Sequence, residues 1–374
     1  MKILICATQF KGGSLQVVLS LINEFRSFSN YEYIVITSRQ VDCQLNKMVF
    51  DENFTFISLP LFSSGKFRGF YERKKWLSNI EKQYNPDVVL STSGPLYWKP
   101  RKPLLMGFNL PAYVYPESPF WTNKMSLKRK ILWAIKTHYH RYLFRKEATA
   151  CFVQTDDVNE RLRKYLGMDA VYTISNTYSN IFKDVVQYPN KLSTRVENEI
   201  RFLTICTYYP HKNLEIIPAV AHELERRGYL NVRFVLTLKN EDFESHFKHL
   251  DTSKIINLGP VKSAECPSLY RECDVMFLPT LLECFSASYA EAMIMNKPIV
   301  TSDLGFAHTV CHDAALYFDP MNPVDIVDKI EMIVRNPELR DSLIEKGKQQ
   351  LNQFGTAENR ARQVLDLCNK LGNH

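Results

Sequence analysis

The chain has 374 residues, 45% of them apolar and 12% aromatic, which is too long for one ordinary core and too apolar for a disordered segment. Its net charge of +7 is uneven: residues 1–200 hold 28 basic and 17 acidic side chains, residues 201–374 hold 19 and 23. A basic half joined to a mildly acidic half predicts that only the first half meets an anionic surface, and no nucleic-acid motif accompanies the charge.

The run from Met1 to Ala7 is too short for a signal-peptide core and reads as a first buried strand. No stretch approaches the roughly 18–20 apolar residues that span a bilayer, which excludes an integral membrane protein. Nine cysteines are scattered without CxxC pairs or nearby histidines, the pattern of buried thiols in a reducing, cytoplasmic compartment.

In chain order, strands are expected at Lys2–Ala7, Tyr33–Thr37, Thr55–Leu59, Val88–Ser91, Leu104–Gly107, Cys151–Gln154 and Val171–Ser175. A second series follows at Arg201–Cys206, Arg233–Leu238, Ile255–Leu258, Val275–Leu278, Pro298–Thr301 and Ala315–Phe318. Helical patterns separate them, and such alternation predicts parallel sheets covered by helices on both faces. The expected organisation is an N-terminal domain over 1–184, a polar linker over 185–199 and a second domain over 200–355. A C-terminal helix over 356–374 follows, its apolar residues Ala361, Val364, Leu365, Cys368 and Leu371 suited to core packing. The two doubly wound domains are expected to face each other across a cleft lined by strand C-termini.

The most informative segment runs from Asp274 through Glu283 to Met293: a buried strand, a Pro-Thr turn, a loop ending in Glu283 and a helix carrying Glu291. Ser286 or Ser288 suits the helix N-cap, and free amides there favour an anion. A nucleotide sugar needs this combination, carboxylates for sugar and ribose hydroxyls around N–H donors for the diphosphate. The competing reading is a capping box between Ser288 and Glu291, with Glu283 a solvated loop residue.

With its two glutamates separated by seven residues in a strand–loop–helix setting, the segment resembles the retaining GT-B glycosyltransferases of family four, the glycosyl transferases group 1. Thr207 to Leu214 with its His211-Lys212-Asn213, Leu258 to Val261, Lys297 to Asp303 and Ala315 to Pro320 agree with that family in order. The resemblance covers residues 200–335 and implies the GT-B fold, two Rossmann-like α/β domains. In the first half it rests on Gly12-Gly13, the Ser175-Asn176 turn and the strand order.

The resemblance implies that Glu283 binds donor-sugar hydroxyls near the reaction centre, that Cys284, Phe285, Ser286 and Ala287 help hold sugar and phosphate, and that Glu291 holds the ribose. Lys212 neutralises the diphosphate, and Gly259 to Val261 line the base. Developing charge on the departing diphosphate is then met without a metal. On its own, Lys212 would be an ordinary exposed lysine. The sequence departs from the family where Cys206 and Thr207 occupy the region of a frequent arginine, and where Cys284 and Ser286 replace glycines. Asn109 stands where many members carry a histidine; it donates a hydrogen bond but shuttles no proton at neutral pH, and a simple strand-end turn is its competing reading. Gly12 and Gly13 permit close approach of a ligand at a helix N-terminus. Asp156-Asp157 suits a helix cap better than a metal.

Residues 124–146 set apolar Leu127, Ile131, Ile135, Tyr139, Tyr142 and Leu143 against basic Lys128, Arg129, Lys130, Lys136, Arg141 and Arg145. A second basic–aromatic patch spans Lys66 to Trp76. Both suit an anionic membrane surface or, alternatively, apolar stripes facing the core with solvated charges. The expected protein is therefore a cofactor-free, metal-independent, retaining hexosyltransferase, cytoplasmic and peripheral to the inner membrane face. It takes a UDP- or GDP-sugar and a glycan or polyprenyl-linked acceptor in bacterial surface polysaccharide synthesis. A non-catalytic nucleotide-sugar-binding subunit and a sugar-nucleotide epimerase are the competing readings.

Overall fold

The computed structural model describes residues 1–8, 12–63, 66–183 and 186–373. Among these the strands are β1 (Lys2–Ala7), β2 (Glu32–Thr37), β3 (Phe54–Ser58), β4 (Val88–Ser91), β5 (Leu104–Gly107), β6 (Ala150–Val153) and β7 (Val171–Thr173). Then follow β8 (Ile200–Thr204), β9 (Val232–Leu236), β10 (Ile255–Asn257), β11 (Val275–Leu278), β12 (Ile299–Ser302) and β13 (Ala315–Phe318). They form two parallel sheets, ordered β3-β2-β1-β4-β5-β6-β7 and β10-β9-β8-β11-β12-β13. Near-continuous Val/Ile/Leu/Phe runs such as Ile3-Leu4-Ile5 suit strands buried on both faces, as all-parallel sheets require. The α/β expectation holds, strand for strand.

By contacts the chain divides into two units, Met1–Val114 with Leu127–Asn176 and Thr356–His374, and Tyr115–Ser126 with Thr177–Gly355. This division departs from the expected boundaries in three places. Residues 115–126 leave the first half and pack with the second unit. The segment expected as a linker is bonded along the second unit: the Lys191 and Leu192 amides donate to the Glu272 carboxylate, and Arg195 Nη1 lies 2.7 Å from Asp274 Oδ2. Asp184, the expected end of the first domain, and Val185, the expected start of the linker, lie outside the described residues. Third, the helix Ala357–Gly372 returns to the first unit, where Ala361, Val364, Leu365 and Cys368 join the core with Val18, Ile22 and Phe25. Buried Arg360 fastens it, donating to the Asn176 side chain and, at 2.8 Å, to Ser20 Oγ.

The second unit is filled by a cluster of rings: Phe202, Phe234, Phe277 and Phe318 lie within 5.4–5.6 Å of a neighbour, centroid to centroid. Each sheet reverses its strand order once, between β1 and β4 and between β8 and β11. Open parallel sheets bind ligands beyond the strand C-termini at such reversals.

Candidate functional site

At the second reversal, the loops after β8 and β11 carry Lys212 and Glu283. After β8 the chain makes a tight helical turn, Pro210–Lys212, and exits through Asn213 at φ +55°, a left-handed conformation that asparagine tolerates. Asn213 is buried, and its Nδ2 donates to the Pro320 carbonyl at 2.8 Å, which fixes the exit. After β11, the Leu281 amide donates to the His211 carbonyl at 2.7 Å. The Thr280 hydroxyl lies 3.2 Å from that same oxygen and 3.5 Å from Glu283 Oε1.

These ties bring Lys212 Nζ into a hydrogen-bonded ion pair with Glu283 Oε1, each side chain only 14% exposed. Burial works against the Lys212 ammonium, but the Glu283 carboxylate, together with Cys206 and Tyr209, holds the lysine above its ordinary pKa. Next to it, burial pushes His211 down to about 4, against the pull of Glu283, so the imidazole is neutral near pH 7. Its ring stacks on Tyr209 at 5.4 Å and meets Phe120 edge-on at 6.3 Å.

Cys284 to Ser286 lead into the helix Ala287–Ile294. Cys284 and Ser286 are buried, while Phe285 is half-buried and sets its ring against Phe354 at 5.5 Å. Ser286 is the N-cap residue and its side chain takes no helix amide; half-buried Ala287 is the first helical residue. Ser288 lies inside the helix, so the alternative capping box with Glu291 is not formed. Instead Glu291 Oε2 accepts from the Tyr270 hydroxyl at 3.2 Å. Burial pushes the Glu291 carboxyl up to about 7, with Tyr270 pulling the other way.

The structure therefore pairs Lys212 with Glu283 and sets Glu291 one to two turns further on, against Tyr270. Thr207 is exposed after β8, where the Cys206 amide donates to Thr237 Oγ1 at 3.1 Å. Burial pushes the Cys206 thiol up to about 11, so nothing at that point replaces an arginine's charge. Gly259 and Val261 follow β10; Gly259 has φ +75°, a conformation that favours glycine.

The remaining expected residues belong to the first unit. Gly12 and Gly13 open the helix Gly12–Phe25 after β1, and a Cβ on Gly13 would meet nothing within 4 Å. Asn109 is half-buried two residues beyond β5, next to Phe108, whose carbonyl accepts from Gln154 Nε2 at 3.3 Å. Thr155 caps the helix Asp156–Leu166, and Asp156 and Asp157 lie in its first turn. On the helix Leu127–Glu147, Leu143 is buried whereas Leu127, Ile131, Ile135, Tyr139 and Tyr142 are exposed, which separates these five from the core. Phe70 and Tyr71 of the helix Lys66–Tyr84 are exposed too. Ring contacts from Phe70 to Tyr97 (6.1 Å) and from Tyr97 to His140 (5.7 Å) join the two basic–aromatic segments.

The sequence alone assigned no role to His211 or Thr280, or to residues 115–123, while 124–126 were read only as the start of the basic 124–146 stretch. The two were quoted within motifs but lacked a partner until the loops were brought together. For 115–126 the available signal was punctuation, since Pro111, Pro116 and Pro119 interrupt the β-α rhythm.

Residues 190–350 match the model of the family Glycosyl transferases group 1. An uncharacterised glycosyltransferase of Methanocaldococcus jannaschii is 26% identical over 156 residues, 41% of this chain and 43% of that protein. The O-antigen chain mannosyltransferase of Salmonella typhimurium is 23% identical over 216 residues, 54% of this chain and 57% of that protein. The chain thus spans about half the length of these curated relatives. The structure of Anabaena Alr3699/HepE in complex with UDP-glucose superposes with a TM-score of 0.74 at 14% identity, covering 99% of this chain and 100% of that one. The fold is GT-B.

Proposed function

Given that this is a GT-B protein whose residues 190–350 belong to the glycosyl transferases group 1, we propose that it transfers a sugar from a UDP- or GDP-sugar to a glycan or lipid-linked acceptor, with retention of anomeric configuration. The observation that carries this reading is the Lys212–Glu283 ion pair at the β8/β11 reversal, immediately before a helix that carries Glu291.

In this reading Lys212 turns to the diphosphate when donor enters, and Glu283 accepts from sugar hydroxyls beside the anomeric carbon. The amides at the start of the 287–294 helix add partial positive charge, and Glu291 accepts from the ribose. As the bond from the anomeric carbon to phosphate oxygen breaks, charge grows on a leaving group already held by a cation, so no metal is needed. The acceptor oxygen bonds to the same face of the anomeric carbon, and its proton passes to the departing phosphate oxygen. Neutral His211 and Asn109 are not required as bases. Gly259 and Val261 line the base; within the first unit, Gly12, Gly13 and Asn109 are the residues proposed to meet a ligand.

The acceptor reading extends to bacterial surface polysaccharide synthesis in the cytoplasm, the Salmonella relative being an O-antigen chain mannosyltransferase. No helix among the described residues is long and apolar enough to cross a membrane. The exposed apolar side chains of the 127–147 helix, in a stretch with no acid between Lys124 and Lys146, instead suit peripheral contact with anionic lipid, each basic residue adding roughly 1 kcal/mol.

The test is to follow nucleoside diphosphate release and product configuration over a panel of UDP- and GDP-sugars, with and without acceptor. Acceptor-dependent release, a retained anomer and indifference to EDTA are expected. Acceptor-independent conversion to a second sugar would mean an epimerase, and binding without turnover a non-catalytic subunit.

A further inference from the structure

Residues Tyr115–Ser126 are flanked on both sides by the first unit, yet they pack with the second. Within this strap Ser118 is buried, and its hydroxyl has two partners. It accepts the Phe120 amide at 3.2 Å, opening the short helix Pro119–Asn123, and it donates to the Leu281 carbonyl at 2.6 Å. Leu281 is fully buried and lies two residues before Glu283. From its other side, the Leu281 amide donates to the carbonyl of His211, the neighbour of Lys212. The same residue is therefore tied to the strap by its C=O and to the Lys212 loop by its N–H.

The rest of the strap is anchored to the same neighbourhood. Lys124 Nζ pairs with Glu215 at 3.3 Å, just beyond the Lys212 turn. The Phe120 ring meets His211, and the Tyr115 ring meets Phe306 at 6.0 Å, beyond β12. Glu215 also accepts from the Tyr208 hydroxyl, so the carboxylate that Lys124 pairs with ties back to the start of the loop that presents Lys212.

We propose that Ser118 is a positioning residue of the transfer site, fixing the Leu281 peptide so that Glu283 and Lys212 meet the donor in reactive geometry. The inference rests on the reading of Lys212 and Glu283 as the donor-binding pair. Without the hydroxyl, the Leu281 carbonyl is left buried with no side-chain donor, and the turn relaxes to find another. A shift of about 1 Å in a catalytic group costs up to ~10²-fold in rate. Ser118 acts through the Leu281 peptide, and a small displacement there keeps the charges of Lys212 and Glu283 at the site while spoiling their alignment with the breaking bond, so its loss lowers turnover more than donor affinity.

The test compares Ser118→Ala, Ser118→Thr and Glu283→Gln in the full chain, using the UDP- or GDP-sugar on which the unaltered protein releases most nucleoside diphosphate. Ser118→Ala is expected to lower kcat about 10- to 100-fold with donor KM changed less than about threefold. Ser118→Thr, whose hydroxyl can cap and donate alike, recovers most of that loss. Hydrogen exchange gives a readout independent of turnover: the Leu281 amide exchanges faster in Ser118→Ala and returns to normal in Ser118→Thr. Unchanged kcat and exchange in Ser118→Ala, while Glu283→Gln is inactive, would overturn the inference and leave the donor-site reading standing. Normal turnover in Glu283→Gln would remove that reading and the inference with it.

Discussion

Lys212 and Glu283 stand 71 positions apart in the sequence and share a nearly buried ion pair, because the loops after β8 and β11 are cross-bonded through His211, Thr280 and Leu281. Such a pair is costly to desolvate, and removing one member leaves the other charge buried. Its retention at a sheet reversal fits two groups that exchange each other for a charged, hydroxyl-rich ligand.

Single variants at this pair carry two separable effects. Lys212→Ala and Glu283→Gln are each expected to lower transfer at least 100-fold and to lose roughly 2–4 kcal/mol of stability in chemical denaturation. The double variant Lys212→Met/Glu283→Gln recovers much of the stability, since no charge is stranded, and none of the transfer. Recovery of transfer in the double variant would assign the pair to folding alone.

The pH dependence of stability has opposing contributions. Glu291 is raised from 4.5 to about 7, so the folded form holds its proton over that range and the stabilisation is lost as pH rises through about 7. His211 is lowered from 6.5 to about 4, so its contribution is present above 6.5 and lost as pH falls below that value. The two offset each other where their windows overlap. In Glu291→Gln the offset is gone, and melting temperature is expected to fall more steeply between pH 6.5 and 5 than in the unaltered chain, by about 2–4 °C per kcal/mol. Parallel melting curves of the two proteins would contradict the assignment.

The C-terminal helix stabilises the first unit although it follows the second in sequence. Leu365→Ala is expected to cost about 2–5 kcal/mol, and Arg360→Ala about 1–3, by leaving Asn176 and Ser20 unpartnered. Nucleotide binding, assigned to the second unit, stays within about twofold for either variant, a change worth less than ~0.5 kcal/mol. Denaturation midpoints and titration calorimetry check the two claims separately.

The exposed apolar residues of the 127–147 helix can be altered without touching a core. Ile131→Ser/Ile135→Ser is expected to change stability by less than about 0.5 kcal/mol while abolishing sedimentation with anionic vesicles. Lys128→Glu/Lys136→Glu weakens the same binding, most strongly at low salt. Vesicle binding that survives both pairs would leave the face without this role.

Much of the fold was legible because parallel strands buried on both faces write themselves as short apolar runs, Val275–Leu278 being one, and the helices between them carry their own period. Glu283 and Glu291 were singled out by their setting as much as by their spacing, and their roles in the site belong to the proposal. What local pattern could not carry is which loops meet. Glu291 bonding Tyr270 rather than capping a helix, Thr280 and Leu281 reaching His211, and Ser118 reaching Leu281 all depend on contacts across tens to more than a hundred positions. The return of residues 357–372 to the first unit was similarly hidden, because an apolar stripe names a buried face but not the surface that buries it.

Titration with nucleotide sugars followed by thermal unfolding tests the central claim most directly, because a ligand that binds only the folded form raises its stability by mass action. At least one UDP- or GDP-sugar is expected to raise the melting temperature of the unaltered chain and to leave that of Lys212→Ala unchanged. Equal stabilisation of both proteins, or of neither across the panel, would contradict the assignment of this pair to a nucleotide-sugar site.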